Sequence, residues 1–255
     1  MKATPKTVTL LGIPFENLSE SQAKQRIASL LANRDNAKIF TPNPQFLARA
    51  QKEPHLSELL RSADLLLPDG VGITLTARLG GTPLQTRMTG IDTAEWILSY
   101  AAPHGLSVFL LGAKPGVAEQ ARERLCRQFP ALRICGTHHG YFNKYKDSAD
   151  NRQILSRIRQ AEPDILFVCF GFPEQERWIG ENAESLPSLR LSMGLGGSFD
   201  IWSGNLRRAP QVWQNMGLEW LWRSFREPRR LPSVLRSTKT LCQIFIQQRR
   251  ESKAQ

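Results

Sequence analysis

The sequence predicts an α/β fold: a parallel sheet with helices on both faces, followed by a basic, aromatic-rich helical appendage. Three observations predict it. Short apolar runs alternate with helix-length stretches, as in successive βαβ units. Two of those runs, Ser107–Leu111 and Ile165–Phe170, are apolar almost throughout, as strands covered on both faces must be. The positive charge is also unevenly spread: residues 201–255 hold eleven Lys/Arg against three Asp/Glu, and residues 1–200 hold twenty-three against twenty. The first two hundred residues therefore read as a nearly neutral, Rossmann-like enzyme domain.

The elements follow in order. Thr7–Phe15 reads as a first strand with Val8–Leu11 as its apolar part, and Ser21–Leu31 has helical periodicity. Strand Lys38–Phe40 precedes a helical stretch over Phe46–Arg61, and strand Leu65–Leu67 precedes a helix that starts near Val71. Thr93–Tyr100, Gly116–Phe129 and Asn151–Gln160 read as helices. They alternate with strands Ser107–Leu111, Leu132–Cys135, Ile165–Phe170 and Leu189–Met193. After about Asn205, Arg, Trp and Leu take over, which divides the chain into an α/β domain, 1–205, and an appendage, 206–255.

The composition, 41% hydrophobic and 22% charged, is that of a globular protein that buries a substantial core. The longest apolar run, Ile165–Phe170, is far short of the roughly 20 residues that span a bilayer. No secretory signal is legible at the start, so a cytosolic protein is expected. Cys126, Cys135, Cys169 and Cys242 are widely spaced and form no CxxC, which points to buried free thiols rather than zinc or disulfides. The net charge of +11 implies a polyanionic partner: a membrane surface, a pyrophosphate-bearing substrate or nucleic acid.

Ligands of parallel sheets sit at the carboxyl ends of the strands. Five such ends carry Gly, Pro, Asn, Asp or Gln: Thr41–Pro44, Pro68–Gly72, Gly112–Gly116, Gly171–Glu176 and Gly194–Asp200. Asp69 is either a turn or capping residue or a crevice carboxylate. An unshifted Asp, with a pKa of about 3.9, is ionised at neutral pH and available as a base. Thr41 and Asn43 are turn residues or ligands for sugar hydroxyls. Gly112–Gly116 places a glycine turn before a helix, a natural anion site, but neither GxGxxG nor GxxxxGK[ST] occurs, which weakens nicotinamide and P-loop readings. His138 and His139 read as a polar loop. Without an Asp-x-Asp clamp for a divalent ion, arginines and helix N-termini must neutralise any leaving pyrophosphate.

The appendage supplies arginines at 207, 208, 223, 226, 229 and 230. Leu218, Leu221, Trp222 and Phe225 recur at helical spacing, and Leu235, Leu241, Ile244 and Phe245 extend the pattern, as on a helix that lies in a membrane interface. A nucleic-acid-binding protein would use the same charge but leaves the polar strand ends unexplained.

Thr41–Pro44, Pro68–Gly72, Arg87–Asp92, Gly171–Glu176, Gly194–Gly204 and Arg207–Pro210 with Gly217–Leu221 occur in order at fitting intervals. Through these six motifs nearly the whole chain resembles the WecG/TagA/CpsF glycosyltransferases, glycosyltransferase family 26, and most closely their TagA-like N-acetylmannosaminyltransferases. The resemblance implies an inverting, metal-independent transferase that needs no cofactor and works peripherally on the cytoplasmic leaflet. It implies a UDP-sugar donor, typically UDP-N-acetylmannosamine, and a polyprenyl-pyrophosphate-linked acceptor, GlcNAc-pyrophosphoryl-undecaprenol, in the synthesis of wall teichoic acid. Other members transfer N-acetylmannosaminuronate or glucose, and the Thr-Pro-Asn form at 41–43 favours the neutral-sugar branch. By resemblance, Asp69 is the base, Thr41, Asn43, Arg87 and Gln175 face the substrate, and Arg223, Arg226 and Arg230 hold pyrophosphate as the appendage closes. An anionic membrane surface and a capacity to homo-oligomerise are further implied; no nucleic-acid partner is expected.

Overall fold

The computed structural model describes residues 7–79, 81–226 and 232. Its centre is a six-stranded sheet, all of whose pairings are parallel. The strands are β3 (Ala37–Phe40), β4 (Leu65–Leu66), β5 (Ser107–Gly112), β6 (Arg133–His138), β7 (Ile165–Cys169) and β8 (Leu191–Gly194), in the order β4-β3-β8-β7-β5-β6.

The period-2 alternation of a strand divides the core into two layers. Val108, Leu110, Ile165 and Phe167 face one layer with α1 (Glu20–Asn33), α5 (Gly90–Ala101) and α6 (Val117–Gln128). Phe109, Leu111, Leu166 and Val168 face the other. That layer holds α2 (Pro44–Ala50), α3 (Pro54–Arg61), α4 (Val71–Leu79), α7 (Ala149–Ala161) and α8 (Glu174–Asn182). Three short helices complete the described chain: α9 (Ser198–Trp202), α10 (Gln211–Asn215) and α11 (Glu219–Arg226).

Two readings of the elements need correction. Thr7–Phe15 is not one strand of the main sheet: it folds into β1 (Thr7–Leu10) and β2 (Ile13–Glu16), an antiparallel hairpin of its own. Leu11 and Gly12 make the turn at positive φ, 51° and 73°, a backbone shape that reverses the chain. The helix expected over Phe46–Arg61 is two helices, because Pro54 has no amide to continue α2 and instead starts α3.

Asp164 ties the amino ends of three strands together. It accepts Arg190 Nε at 2.7 Å, and the Ser107 amide and hydroxyl at 2.9 and 3.0 Å. Cys169 is buried, as expected, but Cys126 and Cys135 are only half-buried; all three are free. Cys242 and the continuation of the apolar stripe over Leu235–Phe245 lie outside the described residues. Among the described residues no helix is long and apolar enough to cross a membrane.

Candidate active site

The strand order creates a crevice. The chain leaving β5 turns toward β6 while the chain leaving β7 turns toward β8, so β5 and β7 flank a point where the direction of winding reverses. A cavity of about 850 Å³ opens there. It is lined by Ala113 and Lys114 after β5, Tyr141, Phe142 and Lys144 after β6, Phe170 and Gly171 after β7, and Gly196, Gly197 and Asp200 after β8. Gly112 makes this floor possible: at φ 132°, a Cβ on it would lie 2.5 Å from the Cys169 carbonyl oxygen. Lys144 sits over the rings of Phe142 and Phe170, at 5.4 and 4.9 Å. His138 ends β6 rather than lying in a loop. Burial lowers its pKa, and its ring packs edge-on against Phe142.

Asp69 does not line that cavity; it stands two strands beyond β8 on the same carboxyl edge. Its amide donates to the Pro42 carbonyl at 3.2 Å, which brings the ends of β3 and β4 together. Its carboxylate accepts the backbone N–H of Gly90, the first residue of α5, and so faces the positive end of that helix. Thr41 packs on the same spot: a Cβ on Gly90 would come within 2.9 Å of Thr41 Oγ1.

The expectation of an unshifted Asp69 fails. The residue keeps partial access to solvent, but the packing around the carboxylate pushes its pKa up to about 7, with desolvation the largest cause. Glu219 and Asp92 raise it further, while Arg87 and the Gly90 amide oppose them. A carboxylate near 7 is divided between base and acid at neutral pH, as a group that first takes and later releases a proton requires.

Asn43 Oδ1 caps α2 by accepting the Phe46 amide at 3.0 Å, which leaves its amide group for other partners. Gln175 is buried, and its Oε1 accepts the amides of Gly171 at 3.2 Å and Gly196 at 2.8 Å. It thereby links the loops after β7 and β8, the two that join Asp69's side of the edge to the cavity. The neighbouring Glu176 is 3% exposed. It accepts Gln175 Nε2 at 2.8 Å, and its Oε2 finds no partner among the described residues, so burial raises its pKa to about 7. Arg87 Nη2 donates to the carbonyl of Gln214 in α10 at 2.9 Å.

Among the C-terminal arginines, Arg208 is engaged within the fold. Its Nη2 meets Asp92 at 2.5 Å, its Nε Glu219 at 3.1 Å, and its Nη1 Glu95 at 3.7 Å, a clasp between α5 and α11. Arg223 and Arg226 belong to α11, and Arg230 lies outside the described residues. Arg208 and Glu219 stand inside quoted motifs, yet nothing local marks them as partners. Arg208 and Asp92 meet across 116 positions. Among the described residues no group of three or more His, Cys, Asp or Glu is arranged to hold a metal ion.

The model of the glycosyl transferase WecG/TagA/CpsF family matches residues 8–255. The chain belongs to this glycosyltransferase family. Its relatives agree with one another. An N-acetylglucosaminyldiphosphoundecaprenol N-acetyl-beta-D-mannosaminyltransferase of Bacillus spizizenii is 34% identical over 223 residues, 88% of this chain and 84% of the relative. Proteins of the same name from Bacillus subtilis and Staphylococcus aureus are 32% and 30% identical, over 90% and 88% of this chain and 88% and 86% of their own. In this WecG/TagA/CpsF chain the family motifs coincide with the carboxyl edge of the sheet and with the segment that carries Arg208 and Glu219.

Proposed function

We propose that this chain transfers N-acetylmannosamine from UDP-N-acetylmannosamine to GlcNAc-pyrophosphoryl-undecaprenol, with inversion, at the cytoplasmic face of a membrane. The names of three relatives that share 30–34% of its residues support the substrates. The observation that carries the mechanism is Asp69, a half-buried carboxylate with a pKa of about 7 at the N-terminus of α5.

The donor nucleotide occupies the cavity at the β5–β7 crevice. Tyr141 and Phe142 offer faces for the base, Asp200 an acceptor for ribose hydroxyls, and Lys114 and Lys144 charge for the diphosphate. The sugar then reaches back along the edge toward Thr41, Asn43 and Asp69. Asp69 accepts the proton of the acceptor hydroxyl as that oxygen attacks the anomeric carbon. The bond to the UDP oxygen breaks, and UDP leaves with the electron pair. Arg223, Arg226 and Arg230 of the appendage stabilise the pyrophosphates.

Membrane contact is supported by exposed apolar side chains on α4, which follows Asp69, and on the C-terminal helices. Leu75 and Leu79 on α4, Val212 and Met216 on or beside α10, and Trp220 and Phe225 on α11 are all exposed. Apolar surface of this kind, with arginines beside it, suits the interface of an anionic bilayer.

The deciding experiment offers UDP-ManNAc, UDP-GlcNAc and UDP-Glc to the protein with a synthetic GlcNAc-pyrophosphate lipid. Transfer is expected from UDP-ManNAc. Transfer from another donor alone would replace the substrate assignment. Asp69→Asn should lower turnover by about 10²–10⁴-fold, and undiminished activity would remove Asp69 as the base.

A further inference from the structure

We propose that Glu219 is a positioning residue for the transfer: clasped by Arg208, it brings a second carboxylate to Asp69 and makes proton acceptance there depend on closure of the C-terminal helices. The inference rests on Asp69 being the base, and adds a device that tunes it.

Three contacts carry the closure. Gly217, at φ 72°, lies so close to α4 that a Cβ on it would come within 2.9 Å of the Val71 Cβ and 3.4 Å of Arg87 Nη1. Arg87 holds the Gln214 carbonyl. Arg208 joins Glu219 to Asp92 and Glu95 of α5. Val71 is two residues from Asp69, and Glu219 is two residues from Gly217, so this docking brings Glu219 near enough for its charge to act on Asp69.

Among the described residues, the charged groups that act on Asp69 come from α11, α5 and the segment before α5. Glu219 on α11 and Asp92 on α5 favour its protonated form; Arg87, before α5, and the Gly90 amide favour its ionised form. Arg208 meets both acids and limits the repulsion they exert. With the helices closed, the base therefore keeps a higher proton affinity than with them open. A base that binds its proton more tightly takes it from the acceptor hydroxyl with a greater driving force. The arrangement favours proton removal once the active site is closed.

The test is the pH profile of kcat/KM for the full-length protein, with UDP-ManNAc and the GlcNAc-pyrophosphate lipid. Glu219→Gln keeps an oxygen to accept from Arg208 but removes the charge. The acid limb should move down by about half a pH unit, so that the ratio of kcat/KM at pH 6 to that at pH 8 rises about threefold. Glu95→Gln disturbs the same clasp without changing a charge that faces Asp69, and its limb should stay with the unaltered enzyme. Glu219→Asp keeps the charge and should keep the limb, whatever its rate. An unmoved limb in Glu219→Gln, or equal shifts in all three variants, overturns the proposal. If Glu219→Gln does not accumulate as folded protein, Glu219→Ala takes its place with the same expected direction. The underlying reading fails separately: an acid limb that persists in the residual activity of Asp69→Asn would show that the base lies elsewhere.

Discussion

The guanidinium of Arg87 donates to the Gln214 carbonyl at 2.9 Å, and the same cation faces Asp69. One side chain thus anchors the C-terminal helices and favours the ionised form of the carboxylate beneath them. Arg87→Gln keeps an N–H donor for the Gln214 carbonyl but removes the charge. The acid limb of kcat/KM should rise by about half to one pH unit, the opposite sign to Glu219→Gln, because an opposing charge has been lost. Rate measurements between pH 5.5 and 9 read this directly. A downward shift would contradict the placement of Arg87 beside Asp69.

Gly217 makes a stricter demand on the backbone. Its φ of 72° and the 2.9 Å gap from a built Cβ to Val71 leave no room for a side chain. Gly217→Val should cost about 1–3 kcal/mol of docking through strain and displacement. That corresponds to a loss of about 5- to 160-fold in kcat/KM, with the melting of the sheet domain little changed. Faster proteolysis within residues 205–226 should accompany it. Full activity would mean that docking is not needed for turnover.

Glu176 predicts a pH dependence of stability. Its pKa is raised by burial from 4.5 to about 7 in the folded protein, so the native state binds a proton that the unfolded state has released between those values. Stability from this group is present in full below about pH 4.5 and declines as pH rises toward 7. Urea midpoints for Glu176→Gln should show a flatter slope across that window than those of the unaltered protein. Identical slopes would show that Glu176 ionises freely in the fold.

Asp164 has the opposite sign. Burial alone would raise its pKa, but hydrogen bonds from Ser107 and Arg190 outweigh that and hold it below the usual value. Its contribution is present at neutral pH and is lost as pH falls through the depressed value. Asp164→Ala should cost about 2–3 kcal/mol at pH 7, since it leaves Arg190 and the Ser107 amide without their acceptor. Chemical denaturation at pH 7 and pH 3 should show the cost shrinking in acid.

Much of the candidate site was legible before any coordinates, because polar and glycine residues at strand ends announce themselves against apolar strands. Asp69, Thr41, Asn43, Arg87 and Gln175 all lie at or beside the carboxyl edge. Their individual tasks were less legible. Gln175 reads as a ligand for substrate, but its carbonyl is engaged by Gly171 and Gly196, so it shapes the edge as a link between loops. Asn43 likewise commits one of its polar atoms to capping α2. Of the cavity-lining residues, Tyr141 and Lys144 after β6 belong to none of the motifs, and strand order brings them beside Asp200 of the Gly194–Asp200 segment.

What the sequence alone determined is the local pattern. The period of hydrophobicity specifies strands and helices, and the strand-end motifs mark the edge where chemistry belongs. Tertiary structure alone decided the electrostatics. Arg208 meets Asp92 across 116 positions, and Glu219 comes to stand near Asp69. A side chain's proton affinity depends on how much water and which charges surround it, and those neighbours are chosen by packing rather than by adjacency along the chain.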